Sequence, residues 1–288
     1  MNKRKSFLVL LGIAVFLVTG CAQKMDHVVT IKTRYGEMVA ILYDETPKHK
    51  ENFIKLAKEH FYDSLLFHRV MQGFMIQGGD PDSKNATKGQ RLGNGGPGYT
   101  IEAEFKPHLF HEKGALSAAR LGDAMNPEKA SSGSQFYIVQ GTKQSETQLK
   151  LDPQKFQRAL QQFFQKPENQ VYFDSIRTFS EARDEKGFEV YMASLKPLVE
   201  SQLGISVEKE ISPRSLETYT TVGGTPQLDG AYTVFGKVIK GLEVIDQIAA
   251  APGDASHRPL EDVRMTVTVE EMPRRKIEKL YGYTYPEK

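Results

Sequence analysis

Two hydrophobic rhythms divide this chain. Val28 to Thr33 and Glu37 to Tyr43 are β-branched and alternate in pairs of apolar and polar positions, with Tyr35-Gly36 between them, which predicts a hairpin. Strand-like runs recur at Leu65 to Val70, Phe74 to Gln77, Tyr99 to Phe105, Ala115 to Arg120, Gln135 to Gln140, Tyr232 to Ile239 and Val263 to Val269. Thr46-Pro47 opens a helix: Thr46 offers an oxygen to an orphan amide, Pro47 suits the first helical position, and Phe53, Leu56, Ala57 and His60 follow at helical spacing. Leu242 to Ala251 reads as a second helix. Roughly eight short strands with two helices predict a mainly-β fold, a closed eight-stranded antiparallel barrel capped by two helices.

The second rhythm runs from Gly141 to Val222. Phe156, Leu160, Phe163 and Phe164 recur at helical spacing, as do Tyr172, Ile176 and Phe179, then Phe188, Tyr191, Leu195 and Leu198. Three helices are expected, separated by Pro167 and Gly187, with Pro197 kinking or ending the third and Pro213 opening a short fourth. Their aromatic faces predict a self-packed α-helical module inserted at 141–222 into a discontinuous barrel of 27–140 and 223–272. The basic tail 273–288 is expected to be a surface extension.

The amino-terminal pattern changes the setting. A basic start (MNKRK), an apolar stretch (FLVLLGIAVFLV) and small residues before Cys21 form the three parts of an export signal, too short for a comfortable membrane span. Val18-Thr19-Gly20-Cys21 resembles the bacterial lipobox, in which the cysteine is acylated after cleavage before it. Residues 1–20 are then a signal peptide and 21–26 a lipidated tether. Cys21 is the only cysteine, so an exported chain has no intramolecular disulfide to make with it. A bacterial envelope protein held to the membrane through lipid on Cys21 is expected, its folded part periplasmic or on the outer surface. An ordinary secretory signal with a chance cysteine is the alternative. Removing Lys3, Arg4 and Lys5 takes the formal charge from +2 to −1, which leaves no footprint for nucleic acid.

Several chemistries are excluded in turn. Gly93 to Gly98 contains GxGxxG, but the extended, alternating Tyr99 to Phe105 follows it where a dinucleotide loop needs a helix. His111-Glu112 begins HExxH, yet Ala115 stands at the second histidine position, and the histidines otherwise lack metal spacing. Gly133-Ser134 lacks the nucleophile-elbow frame. No cofactor and no metal are expected. Phe67 to Pro81 stands out because it joins a cation, Arg69, to two large apolar side chains, Phe74 and Met75, and an amide, Gln77: a planar fork, an apolar floor and a hydrogen-bonding group.

Three separated segments, FHRVMQGFMIQGGDP (Phe67 to Pro81), SSGSQFYIV (Ser131 to Val139) and LDGAYTVFGKV (Leu228 to Val238), resemble in order the signature of cyclophilin-type peptidyl-prolyl isomerases. The helix entry at Thr46 to Phe53 and the runs FYDSLLFHR, GGPGYTIEAEF and GALSAAR are similar to the family too. The resemblance covers about Asp26 to Glu271 apart from the helical stretch. It implies a cyclophilin-like barrel and isomerisation of X-Pro bonds in proline-containing polypeptide clients, by a monomer, assisting the folding of exported proteins. It implies that Arg69 is the catalytic cation; that Phe74, Met75, Tyr137 and Leu228 line the proline pocket; that Gln77 bonds the substrate backbone; that Gln135 flanks the pocket; that Ala119 and Arg120 form the opposite rim; and that Tyr232 stands at the pocket edge. Taken singly, Phe74, Met75 and Leu228 could be barrel core, Gln77 and Gln135 buried strand amides, and Arg69 a surface ion-pair partner.

The chain departs from the family pattern at Gln227, where tryptophan is common, and at Tyr232, where histidine is common. Weak cyclosporin binding is the expected consequence, because the indole that would pack on the drug is missing. Tyr137 replaces a usual phenylalanine and Arg120 a common asparagine, so peptide preference is expected to differ. A different functional class, a client-holding chaperone or assembly scaffold with incidental isomerisation, draws on the insertion, which returns at Gly223 to Pro226 just before Leu228. A carbohydrate- or metal-binding lipoprotein finds no tryptophan for stacking and no ligand cluster.

Overall fold

The computed structural model describes residues 23–286; Cys21 and the export pattern before it lie outside them. The chain runs through strands β1 (Met25–Thr33) and β2 (Gly36–Leu42), helix α1 (Pro47–Lys58), then β3 (Phe67–Met71), β4 (Met75–Gly78), β5 (Thr100–Ile101), β6 (Ala115–Ala118), β7 (Ser131–Ser132) and β8 (Phe136–Val139). Five helices follow: α2 (Glu146–Lys150), α3 (Pro153–Phe164), α4 (Gln170–Ala182), α5 (Glu185–Leu203) and α6 (Pro213–Thr221). β9 (Val234–Lys240), α7 (Leu242–Ala249), β10 (Thr266–Pro273) and α8 (Arg274–Tyr281) complete it.

Eight strands form one curled antiparallel sheet in the order β10-β1-β2-β9-β6-β8-β4-β3. The edges β3 and β10 share no ladder. They approach through the stretch just before each of them: Leu66 bridges Arg264, and Ser64 and Phe67 donate to the Met265 and Val263 carbonyls at 2.9 Å each. The sheet is a mainly-β, eight-stranded antiparallel half-barrel whose rims approach at this bridge and these hydrogen bonds. Tyr99 to Phe105 does not become an eight-strand member. Only β5 pairs, with β7, because Glu102 and Glu104 turn to the start of α1.

That turn corrects the expected cap. Thr46 makes no capping bond; Glu104 accepts from the Lys48 and His49 amides at 3.2 and 3.1 Å and from His49 Nδ1 at 2.7 Å. A carboxylate at a helix N-terminus meets orphan donors and the dipole together. Phe53, Leu56 and Ala57 face the core, but the helix ends at Lys58 and His60 lies beyond it with φ 57°; His49 takes the buried place instead.

Inside the sheet, Val29, Ile31, Phe67, Ile76, Phe136, Ile138 and Phe235 pack with α1 and with Val244, Ile245 and Ile248 of α7. The insertion has a separate core of Phe156, Ala159, Leu160, Phe163, Leu195, Val199 and Val207. Gly187 does not separate helices. Arg183 with φ 53° ends α4 and Asp184 caps α5, accepting from the Gly187 amide at 2.9 Å. Pro197 does not end α5 either, since Leu195 and Val199 on either side are buried in the module core, and that packing outweighs the backbone bond a mid-helix proline removes. Residues 273–286 run along the surface as α8 and the stretch after it; α8 buries Ile277, and Tyr281, Tyr283 and Tyr285 pack over Val28, Val39 and Ile41.

Candidate active site

The site lies on the outer face of the sheet, and strand register builds it. Antiparallel pairing sets Arg69 opposite Gln77, Gln77 opposite Tyr137 and Tyr137 opposite Ser117, one transverse row across β3, β4, β8 and β6. Alternation then separates the faces. Phe136, Ile138, Ile76, Leu116 and Ala118 point into the core, while Tyr137, Val139, Met75, Ala115 and Ala119 gather outside with Met71, Phe74, Leu228 and Tyr232.

Strict alternation would put Arg69 on the same side as the core residue Phe67. A bulge prevents this: Phe67 pairs with Gly78 and Arg69 with Gln77, so His68 is an extra residue and the parity of β3 changes there. The guanidinium is then steadied by Nη1 donating to Gln77 Oε1 at 3.1 Å and Nη2 to Met71 Sδ at 3.2 Å, with its carbon 6.0 Å from the Phe74 ring centre. His68 is buried, both ring nitrogens lack a protein partner, and burial pulls its pKa down to about 4.

Gln77 passes the restraint on. Its Nε2 donates to Gln135 Oε1 at 3.0 Å, and Gln135 Nε2 donates to the carbonyls of Gly93 and Gly95 at 2.9 and 2.7 Å. Asp80, fully buried, accepts from the amides of Gly93, Gly95 and Asp82, holding the same loop. The opposite wall is tied by Arg120, whose Nε donates to the Ala231 carbonyl at 2.8 Å and whose guanidinium lies 4.4 Å from the Tyr232 ring centre. Tyr232 in turn meets Tyr137 edge to face at 6.0 Å.

The result is an open groove of about 480 Å³. Arg69, Phe74, Met75, Gln77, Ala119, Arg120, Tyr137, Leu228 and Tyr232 all line it. Gln135 does not; it stands behind Gln77 as its partner. Residues not foreseen from sequence also line it: His68, the loop Gly89 to Asn94, and Asp254, Ser256 and Arg258. Polar loop positions carry no periodicity, so only the GNGGPG stretch hinted at the first of these, and nothing marked the second. Gln227 is exposed and outside the groove, next to Leu228 within it.

A guanidinium thus faces an apolar floor, with amides bracing it on the sheet face. Comparison with known proteins supplies the family. The family model for cyclophilin type peptidyl-prolyl cis-trans isomerase/CLD matches residues 28–157 and 155–270, and the chain belongs to that family; it is a cyclophilin-type isomerase. Relatives that carry peptidyl-prolyl cis-trans isomerase in their names include a Staphylococcus haemolyticus protein, 30% identical over 82% of this chain and 86% of its own length. A Staphylococcus aureus protein is 31% identical over 86% of this chain and 94% of its own. A Streptococcus pyogenes relative, 32% identical, is named as joining a phosphatase to the isomerase, and this chain spans only 37% of it. A Cryptosporidium parvum cyclophilin crystal structure, 22% identical, covers 86% of this chain and 98% of its own with a TM-score of 0.49.

Proposed function

We propose that Arg69 lowers the barrier to rotation about X-Pro bonds while the apolar floor holds the ring, and that the clients are proline-containing segments of exported proteins. The observation that carries the reading is the bulge at His68, which turns Arg69 onto the face shared by Phe74, Met75, Tyr137 and Leu228. The X-Pro amide resists rotation by ~18–20 kcal/mol because the nitrogen lone pair is delocalised. A guanidinium that donates to this nitrogen as it pyramidalises binds the twisted state better than either planar isomer. Gln77 orients the guanidinium and offers its amide to the substrate backbone. The ring stays fixed while the preceding segment turns, and the low polarity of the floor strengthens the donated bond. Removing about 7 kcal/mol would accelerate rotation about 10⁵-fold. A protease-coupled proline-peptide assay tests the proposal: Arg69→Ala is expected to fold normally and lose most turnover, and wild-type turnover in that variant would sink it.

The envelope setting is proposed on the amino-terminal pattern alone. Acylated Cys21, with two or more chains, would anchor a monomeric folded part stably. Palmitate labelling that is present in wild type and gone in Cys21→Ala is the expected result; equal labelling would end the proposal.

A second reading, client holding by the insertion, is favoured by Val171, Phe173, Phe188 and Val190, which are exposed on α4 and α5. Deleting 152–207 behind a short linker, which keeps α6, should then slow refolding of a proline-limited protein more than turnover of a short peptide. Equal loss on both substrates would argue against it.

A further inference from the structure

We propose that α6 of the insertion supports the groove from behind, and that His111 and Tyr219 are positioning residues that hold Tyr137 and the Leu228-Asp229 turn through a buried hydrogen-bond relay. The proposal rests on the isomerase reading of the groove and deepens it. It also accounts for tyrosine rather than phenylalanine at position 137.

The relay is continuous. The Tyr137 hydroxyl meets His111 Nε2 at 3.0 Å, and His111 Nδ1 meets Asp229 Oδ1 at 2.8 Å. In the tautomer with its hydrogen on Nδ1, the ring donates to the Asp229 oxygen and Nε2 accepts from the Tyr137 hydroxyl. The Tyr219 hydroxyl donates to Asp229 Oδ2 at 2.6 Å, and the His111 amide reaches both Tyr219 Oη at 3.1 Å and Asp229 Oδ1 at 2.9 Å. His111 and Tyr219 are fully buried and Tyr137 nearly so. Water therefore has no ready access to replace a lost partner, and an orphaned group carries its full desolvation cost.

One end of the relay lines the groove and the other holds the residue next to a lining one. At one end, Tyr137 is held from two sides, its ring stacked on His111 at 6.1 Å and meeting Tyr232 edge to face. At the other, Asp229 follows Leu228 in a turn closed by Leu228 donating to Thr225 and Tyr232 donating to Leu228. The backbone is stapled at the same place: Thr225 donates to the His111 carbonyl at 2.9 Å and Lys113 to the Gly223 carbonyl at 3.0 Å. Gly141 and Gly224 allow the two ends of the insertion to close on each other, since a Cβ on Gly141 would run into the Gly224 backbone. Tyr219 is the side chain by which the insertion enters this network, and it belongs to α6, outside the module core of α3 and α5.

The test is a double-mutant cycle on proline-peptide affinity. Tyr219→Phe keeps the buried ring and removes the hydroxyl; Tyr137→Phe removes the other terminus. Each is expected to weaken peptide binding and raise KM about five- to tenfold with kcat changed less than about twofold, and the double variant to be little worse than either alone. His111→Asn keeps a donor near the Nδ1 position and loses only the Tyr137 arm, so it should match Tyr137→Phe. Phe163→Leu, which loosens the module core without touching the relay, should leave KM unchanged. Additive penalties across the cycle, an unchanged KM in Tyr219→Phe or His111→Asn, or an equal rise in Phe163→Leu would overturn the proposal. Because the cycle is read in affinity, it fails or succeeds separately from the Arg69 chemistry, which Arg69→Ala turnover tests.

Discussion

The sheet and the inserted helices bury their apolar surface in opposite ways. The sheet core joins Val29, Phe67, Phe136 and Phe235, far apart in the chain, whereas the module core gathers Phe156, Leu160, Phe163, Leu195 and Val199 from neighbouring helices. Long-range pairing fixes the register of the sheet and, with it, the row from Arg69 to Tyr137 on its other face. Local packing fixes only the helices themselves. The difference teaches that the groove geometry depends on the sheet core, while the module adjoins it where Tyr219 of α6 meets His111 and Asp229.

The largest expected effect falls on the sheet side. Arg69→Ala should reduce kcat/KM by about 10²–10³ with an unchanged melting temperature, and Arg69→Lys should recover little because an ammonium lacks the planar fork that Gln77 and Met71 hold. A direct contrast of cores comes next. Phe53→Ala and Phe163→Ala each remove a buried ring and should each cost about 3–5 kcal/mol locally. In the sheet that loss should abolish turnover by unfolding. In the module, peptide kcat should stay within about threefold while amide exchange in α3 and α5 rises. Parallel loss of kcat in both variants would mean the two cores are one cooperative unit.

A smaller effect should appear with acid. His68 is buried neutral with its pKa lowered to about 4 by desolvation, and His49 is lowered in the same direction by burial. The unfolded chain binds protons on these rings below about pH 6.5 before the folded chain does, so their contribution is full above that pH and falls with acid, for His68 down to about pH 4. His68 alone should give a decline on the order of 3 kcal/mol across that window. Denaturant titrations of His68→Leu should show the slope reduced; an unchanged slope would assign the acid sensitivity elsewhere. The smallest change expected is in α5, where Pro197→Ala restores an amide donor inside the helix. It should stabilise the module by about 1–3 kcal/mol, seen as slower amide exchange there, without moving kcat/KM.

Much of this could be read from the chain. The strand runs other than Tyr99 to Phe105, both capping helices and the helical character of 141–222 follow from period, and nine of the ten site residues inferred from the resemblance line the groove. The misses share a cause. Glu104 in place of Thr46 at the α1 terminus, and Pro197 tolerated inside α5, are local preferences overruled by partners distant in sequence. Gln135 sits one hydrogen bond behind the groove because its amide is taken up by Gln77 and by the Gly93 and Gly95 carbonyls.

By itself the sequence determined the elements, the separation of a β framework from a helical insertion, and the residue types able to work on an X-Pro bond. These depend on local periodicity and on side-chain chemistry, which the chain carries at every point. Only the tertiary structure decided that a bulge at His68 turns Arg69 outward, and that His111, Asp229 and Tyr219 converge behind Tyr137. The bulge lies within one hairpin, where alternation alone would keep Arg69 on the core side, and the relay joins His111 to Asp229 and Tyr219 across 118 and 108 residues, so no local pattern encodes which partners meet there.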